Sequence, residues 1–424
     1  MTEISDADLC INVPSPFCGV GTDDLKVKVE GTRITLLENG CAVNKSAFEQ
    51  LITDTSPQLR GQNVELQQAI NKSAEILRDT QLPLISGLAT DVNGMRAALE
   101  LADTVGAITD NMNFTAAMRN FLVVHDTGWI NTTLAEVKNR TDLLLVVGTD
   151  VEPLFPRFFE NYIWNADALF CEDTSKRKIV YLGKTPSGNA ANSPDGTAPT
   201  VLACEASDLP EVVAVLRGLV NENPILVSEV GGIEVSALRE LADQLKKATY
   251  GVVTWAAAEL NFSQAELTVQ TVCEMVKDLN ADTRCSGLPL GGKEGDQTAF
   301  QVSGWQTGYP SRVNFSDGYP AYDPYLNSTE QRLADGSADA LVWVSSFNTD
   351  RLPPKTDIPT VVLGRSGMKF DKQPDVFIPV GTPGIDHAGN AYRNDNVVAI
   401  RLRKLRDAGL PSVSDVLTAI QQAL

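Results

Sequence analysis

Pro83-Leu84-Ile85-Ser86-Gly87-Leu88 reads as a short buried strand, and the residues after it change period, with Met95, Ala98 and Ala102 on one helical face. The same exchange of strand for helix repeats along the chain. Upstream, Leu66, Ile70, Ala74 and Leu77 form one helical stripe. Downstream, apolar runs recur at 143–147, 179–182, 225–227, 252–255, 340–344, 361–363 and 376–378. Amphipathic helices sit between several of them. One begins near Ser207-Asp208-Leu209-Pro210, an N-cap signal followed by an early proline; another places Leu238, Leu241, Ala242 and Leu245 on one face. Strands alternating with helices imply βαβ units and mainly parallel sheets. Each run is short and nearly all apolar, as a strand covered on both faces must be. The runs are too many for one simple sheet, so we expect an α/β chain with two doubly wound domains. Residues 184–198 and 285–298, rich in Gly, Ser, Asn and Pro, are expected as loops or crossovers. No solenoid repeat is evident.

Near the start the period is different. Leu25-Lys26-Val27-Lys28-Val29-Glu30-Gly31-Thr32-Arg33-Ile34-Thr35-Leu36 alternates on both sides of Glu30-Gly31, which predicts a β-hairpin in a small β-rich unit. The expected boundaries are a small N-terminal domain over 1–55, a discontinuous α/β domain over 56–110 and 295–424, and an inserted α/β domain over 111–294.

A chain of 424 residues is long for one core. Its formal net charge of −19 argues against a nucleic-acid partner, which needs a basic footprint. No window reaches the roughly 18–20 unbroken apolar residues of a membrane span. The opening Met1-Thr2-Glu3-Ile4-Ser5-Asp6 is polar and acidic, unlike a signal peptide. The seven cysteines, Cys10, Cys18, Cys41, Cys171, Cys204, Cys273 and Cys285, are odd in number and scattered, a poor disulfide framework. A reducing, cytoplasmic setting is expected.

Four separated segments carry a family pattern. The first is Ser15-Pro16-Phe17-Cys18-Gly19-Val20-Gly21-Thr22-Asp23-Asp24, and the second is Glu136-Val137-Lys138-Asn139-Arg140-Thr141-Asp142 with the strand after it. The third is Gly304-Trp305-Gln306-Thr307-Gly308-Tyr309-Pro310, continuing through Phe315-Ser316-Asp317-Gly318-Tyr319-Pro320 to Tyr322-Asp323-Pro324. The fourth is Gly381-Thr382-Pro383-Gly384-Ile385-Asp386-His387 with Ala391-Tyr392-Arg393-Asn394-Asp395-Asn396-Val397. In this order they resemble the B subunit of formylmethanofuran dehydrogenase. The resemblance implies a molybdopterin-oxidoreductase-like fold: an N-terminal unit holding an iron–sulfur cluster, two α/β domains holding a tungsten or molybdenum pyranopterin, and no C-terminal barrel.

The sequence departs from that family at the residues its cofactors need. The four cluster positions are Ser15, Cys18, Thr22 and Cys41. A family-type cluster takes four thiolates, and two of these are hydroxyls, hard donors with a much higher pKa. Cys18 and Cys41 can bind a metal as a pair or stand as ordinary buried thiols; the second reading is preferred. The cysteine that holds the pyranopterin metal follows a strand ending in Gly-Leu or Gly-Trp. The matching Gly87-Leu88-Ala89-Thr90-Asp91-Val92-Asn93-Gly94 has none, and Asn93 or Val92 occupies the ligand position. No cofactor and no metal are expected.

Other chemistries are poorly served. Only His125 and His387 exist, too few for a zinc hydrolase site; His125 is expected in a core or turn and His387 in a loop. There is no P-loop and no Gly-x-Gly-x-x-Gly after a strand, and Gly231-Gly232 resembles a nucleotide turn only faintly. Asp23-Asp24 reads as a turn or cap pair, and Asp395 as a carboxylate with no visible acid–base partner. The resemblance therefore implies a non-catalytic subunit of a formyltransferase/hydrolase complex in one-carbon metabolism and formaldehyde oxidation. Such a complex converts formyl-tetrahydropterin to formate through a methanofuran-type carrier. Its partners would be a hydrolase-type A subunit, a formyltransferase subunit and a C subunit. The rival readings are a molybdenum or tungsten formylmethanofuran dehydrogenase subunit and a small-molecule binding module reusing the vacated cleft.

Overall fold

The first three strands, β1 (Leu9–Val13), β2 (Leu25–Glu30) and β3 (Arg33–Glu38), pair antiparallel in chain order. Glu30 faces Arg33 across the tight turn that the alternation around Glu30-Gly31 predicts. The computed structural model describes residues 8–424, so the acidic start at Met1–Asp6 lies outside the described residues. Helix α1 (Ala42–Phe48) follows, then α2 (Leu66–Arg78), β4 (Pro83–Ala89), α3 (Val92–Val105) and β5 (Ile108–Asn111). These belong to one compact unit, which ends at Phe114 and resumes as Gly292–Leu424. The three-stranded sheet and α1 supply most of a small core that residues from the main sheet's loops complete. Val13, Phe17, Leu25, Val27 and Phe48 form one cluster with Ala89, Phe347 and Ile385.

The second unit, Thr115–Gly291, holds a five-stranded, all-parallel sheet. Its strands are β6 (Leu143–Val147), β7 (Lys178–Gly183), β8 (Thr200–Ala203), β9 (Gly251–Ala256) and β10 (Cys285–Leu290), in spatial order β8-β7-β6-β9-β10. Helices α4 (Leu209–Val220), α5 (Val235–Lys247) and α6 (Ala265–Leu279) bury their apolar stripes on one face with Leu143, Leu145, Val180 and Val253. Each such fully buried aliphatic side chain contributes about 1.5–3 kcal/mol. Two expectations fail here. Cys285–Leu290 is a buried strand, not a loop: it pairs in parallel with β9 along its whole length, and its Gly287 packs closely on Trp255. Ile225, Leu226 and Val227 make no strand; Leu226 is 95% exposed and only Ile225 packs, against Gly218 of α4.

The chain then returns to the first unit with α7 (Asp296–Thr307), β11 (Val313–Asn314), β12 (Ala321–Tyr322), β13 (Ala340–Ser345), β14 (Thr360–Arg365), β15 (Val376–Val380) and α8 (Val413–Gln422). The main sheet runs β12-β11-β5-β4-β13-β14-β15, extended by two short strands at Gln58–Leu59 and Gln62–Asn63. The five strands from β5 to β15 are parallel, and the margins on both sides are antiparallel. Alternate residues serve the two faces: Ile85, Val342, Val344 and Val361 meet α2, α3 and α8, while Leu84, Leu341, Trp343 and Val362 point the other way. The protein is thus a mixed α/β chain with several sheets. Among the described residues, no helix is long and apolar enough to cross a membrane.

Candidate functional site

The loop from β1 to β2 carries the first motif, and Ser15 through Thr22 is buried throughout. Ser15 N–H donates to the Thr22 carbonyl at 2.8 Å and Gly21 N–H to the Cys18 carbonyl at 3.0 Å, which folds the loop back on itself. Gly21 has φ +70°, and a Cβ there would lie 2.7 Å from Arg393 Cδ, so only glycine fits. Cys41 stands just before α1, where Asn44 Oδ1 accepts its N–H at 2.8 Å. Burial pushes the Cys18 thiol above its ordinary range; the Val20 amide and the Thr22 hydroxyl oppose this, and the neighbouring Cys41 adds to it. The fold therefore brings Thr22 and Cys41 close to Cys18. Their chemistry does not fit a four-thiolate cluster. Only two thiols are present, one held toward its neutral form by burial.

The position of the pyranopterin metal ligand fares no better. At the end of β4, Asp91 Oδ1 accepts the Gly94 N–H at 3.1 Å and caps α3. Val92 is half-buried in the first turn, whereas Asn93 is exposed and lines an outward groove with Arg96 and Glu100. Neither presents a soft donor. Among the described residues, no group of three or more His, Cys, Asp or Glu is placed to hold a metal ion.

Open α/β sheets bind ligands outside the carboxyl ends of strands where the strand order reverses, here between β4 and β13. That point is sealed by the chain itself. Ser346 donates to the Ala89 carbonyl through N–H at 2.9 Å and through Oγ at 2.8 Å, and Thr382 Oγ1 donates to the Ser346 carbonyl at 2.8 Å. Phe347, 2% exposed, packs edge-on to Phe17 with ring centroids 6.1 Å apart. Nearby, Arg406 Nε donates to Asp386 Oδ1 at 2.7 Å, and Arg365 donates to the Phe347 and Ala47 carbonyls at 2.9 and 2.6 Å. Burial pushes Arg365 down to about 10 against the pull of Asp386. The space left beside these arginines is about 10 Å³, room for about one water. The second unit keeps a larger crevice at its strand ends, about 720 Å³, edged by Gly148, Gly183, Cys204 and the ion pair of Lys184 with Glu259.

No protein-family model matches the chain. It is 29% identical over 411 residues, 93% of each chain, to the B subunit of tungsten-containing formylmethanofuran dehydrogenase 2 from Methanocaldococcus jannaschii. The protein of the same name from Methanococcus maripaludis is 28% identical over 420 residues, 95% of each chain. The B subunit of the formyltransferase/hydrolase complex of Methylorubrum extorquens is 26% identical over 373 residues, 86% of this chain and 97% of the relative. The crystal structure of that complex with methylofuran contains a chain that superposes with a TM-score of 0.72 at 25% identity, covering 87% of this chain and 98% of that one. The chain is a relative of these B subunits.

The remaining motif residues of this B-subunit relative act as structure. Asp395 is not alone: Arg393 grips it through Nε at 3.0 Å and Nη2 at 2.5 Å, and Asn394 N–H donates to the Gly19 carbonyl at 2.8 Å. The fourth segment thereby clamps the first. His387 lies in a loop, its Nδ1 2.9 Å from the Ala388 carbonyl. His125 is neither core nor turn; it is exposed in the last turn of the helix Phe114–Asp126. Asp23-Asp24 leads into β2, and Gly231-Gly232 is the tip of a hairpin between Glu229–Val230 and Ile233–Glu234. Sequence reasoning missed the buried pair of Asp110 and Arg312, 3.1 Å apart. Asp110 also accepts the Thr329 N–H and hydroxyl at 2.8 and 2.9 Å, and burial still raises it to about 6. The basic residue inside the third segment was the available signal.

Proposed function

We propose that this chain is the non-catalytic B subunit of a formyltransferase/hydrolase complex, built on a molybdopterin-oxidoreductase-like scaffold without the C-terminal barrel. The carrying observation is the joint loss of soft donors: Ser15 and Thr22 replace two thiols at the cluster positions, and residues 87–94 contain no cysteine. Two-electron oxidation of a formyl carbon requires an electron sink, and side chains alone provide none. Formyl transfer followed by hydrolysis requires only an activated water, which a partner's active site can provide. The partners in this reading are a hydrolase-type A subunit, a formyltransferase subunit and a C subunit, and the complex releases formate from formyl-tetrahydropterin through a methanofuran-type carrier. The cytoplasm suits a chain with seven free, scattered cysteines.

A tungsten or molybdenum dehydrogenase subunit is the rival reading, favoured by the names of the two archaeal relatives. One experiment separates them. The purified complex receives formyl donor, and formate and a viologen dye are followed in parallel, with metal analysis of the same sample. Formate without dye reduction, and without stoichiometric tungsten, molybdenum or cluster iron, is the expected result. Dye reduction that depends on this chain overturns the proposal.

A further inference from the structure

We infer that the β11–β12 hairpin and the groove beside α3 form the seat of a different protein subunit with a cationic, arginine- or lysine-bearing surface. The inference rests on the assembly proposed above and gives it a location. The hairpin is the outer margin of the main sheet. In its turn and just after it three large side chains stand in solvent: Tyr319, Tyr325 and Leu326, each 55–60% exposed. Exposed aromatic rings gathered in one region mark interaction surfaces more often than accidents.

The rings are held in place. Asp323 Oδ1 accepts the N–H groups of Tyr325 and Leu326 at 2.9 and 2.7 Å, and Asn327 N–H donates to the Asp323 carbonyl at 3.2 Å. Gly318 N–H closes the turn before Tyr319 on the Phe315 carbonyl at 3.0 Å, and Tyr322 stacks on Tyr309 with centroids 5.0 Å apart. A preformed turn loses little freedom when a partner docks. Against it lies a groove of about 670 Å³, lined in part by Glu100, Asp103, Gln306 and Pro320.

The charges choose the partner. Hairpin and groove carry Glu100, Asp103, Asp317, Asp323 and Glu330 against Arg96 and Arg332, the latter donating to Asn327 and paired with Asp335, while Arg312 is buried in its pair with Asp110. A second copy would set carboxylate against carboxylate. A guanidinium-bearing surface stacks on the tyrosines and neutralises the acids together.

The test uses the co-expressed complex with this chain tagged. Two variants are compared with wild type, Y319E/Y325E on the hairpin and E100K/D103K in the groove. We expect each to retain at least tenfold less partner subunit, while the melting temperature of the free variant chain stays within about 2 °C of wild type, as exposed sites allow. Amides 314–328 should gain hydrogen-exchange protection only on assembly. Full retention by both variants, no added protection, or pairing of two copies through this face overturns the inference and leaves the assembly reading standing. A wild-type chain that retains no partner overturns both.

Discussion

Asp386→Ala removes the carboxylate that the two buried arginines Arg365 and Arg406 share in the fourth motif. Asp386 Oδ1 accepts Arg406 Nε at 2.7 Å and its Oδ2 accepts the Thr382 N–H at 2.8 Å. Both partners of the ion pair are nearly inaccessible, at 2% and 3% side-chain exposure. Breaking a buried pair from one side costs about 3–5 kcal/mol, because the remaining charge stays buried without compensation. The orphaned Thr382 amide adds about 1 kcal/mol. In a unit of this size each kcal/mol moves Tm by about 2–4 °C, so the drop expected is roughly 8–24 °C. Differential scanning calorimetry of the purified protein at pH 7 reads it. Asp386→Asn keeps an acceptor for Thr382 and loses only the charge, so it should recover no more than the amide's share. Replacing the pair together, D386L/R406M, should recover much of the loss, since an apolar pair of similar volume carries no stranded charge. If D386A melts within about 2 °C of wild type, these arginines are solvated in solution and the sealed strand ends described above are wrong.

Asp296 gives a pH-dependent prediction. Burial raises it to about 7, and Gln297 N–H donates to its Oδ1 at 2.6 Å. The folded chain holds this proton up to about pH 7 while the unfolded chain releases it near pH 4, so stability is full at low pH and falls as pH rises through that window. Asp296→Asn imitates the neutral acid, and its Tm relative to wild type should rise between pH 5 and pH 8; an offset that is flat with pH removes the argument. Gly148 tests the second unit. At φ +58°, a Cβ there would lie 2.5 Å from Leu260 and 2.7 Å from Leu209. Gly148→Ala should lower the urea midpoint by an amount equivalent to about 1–3 kcal/mol with unchanged slope. An unshifted midpoint would mean that the crevice wall gives way without cost.

The α/β class was legible because its signal is local. Leu143, Leu145, Val252 and Val342 lie in short apolar runs, and Ala98 and Leu241 lie on helical stripes; each pattern reports burial directly. Two segments misled for the same reason. Gly287 and Pro289 made Cys285–Leu290 look like a loop, yet the glycine is required by Trp255 on the neighbouring strand, a contact between residues far apart in sequence. Ile225, Leu226 and Val227 carry a strand composition, but the local pattern cannot say whether a neighbouring strand is there to pair with. Here none is, and Leu226 stands in solvent.

The candidate site divides along the same line. That Ser15 and Thr22 are not thiols is a matter of residue identity, so the sequence carries it in full. What became of the space is a matter of long-range packing. Ser346, Phe347 and Thr382 come from loops after two different strands, and only their meeting with Ala89 and Phe17 closes the crevice. A loop that merely lacked ligands would leave buried polar groups facing a void, at a cost of about 1–3 kcal/mol each. Here nearly all are reassigned: Ser346 to Ala89, Arg365 to Phe347 and Ala47, Asn394 to Gly19. The exceptions include Asn44 Nδ2 beside Cys41 and His387 Nε2 in the fourth segment, both buried without a partner. These contacts make the loops after β4, β13 and β15 internal bracing, the rigidity that the scaffold role proposed above requires.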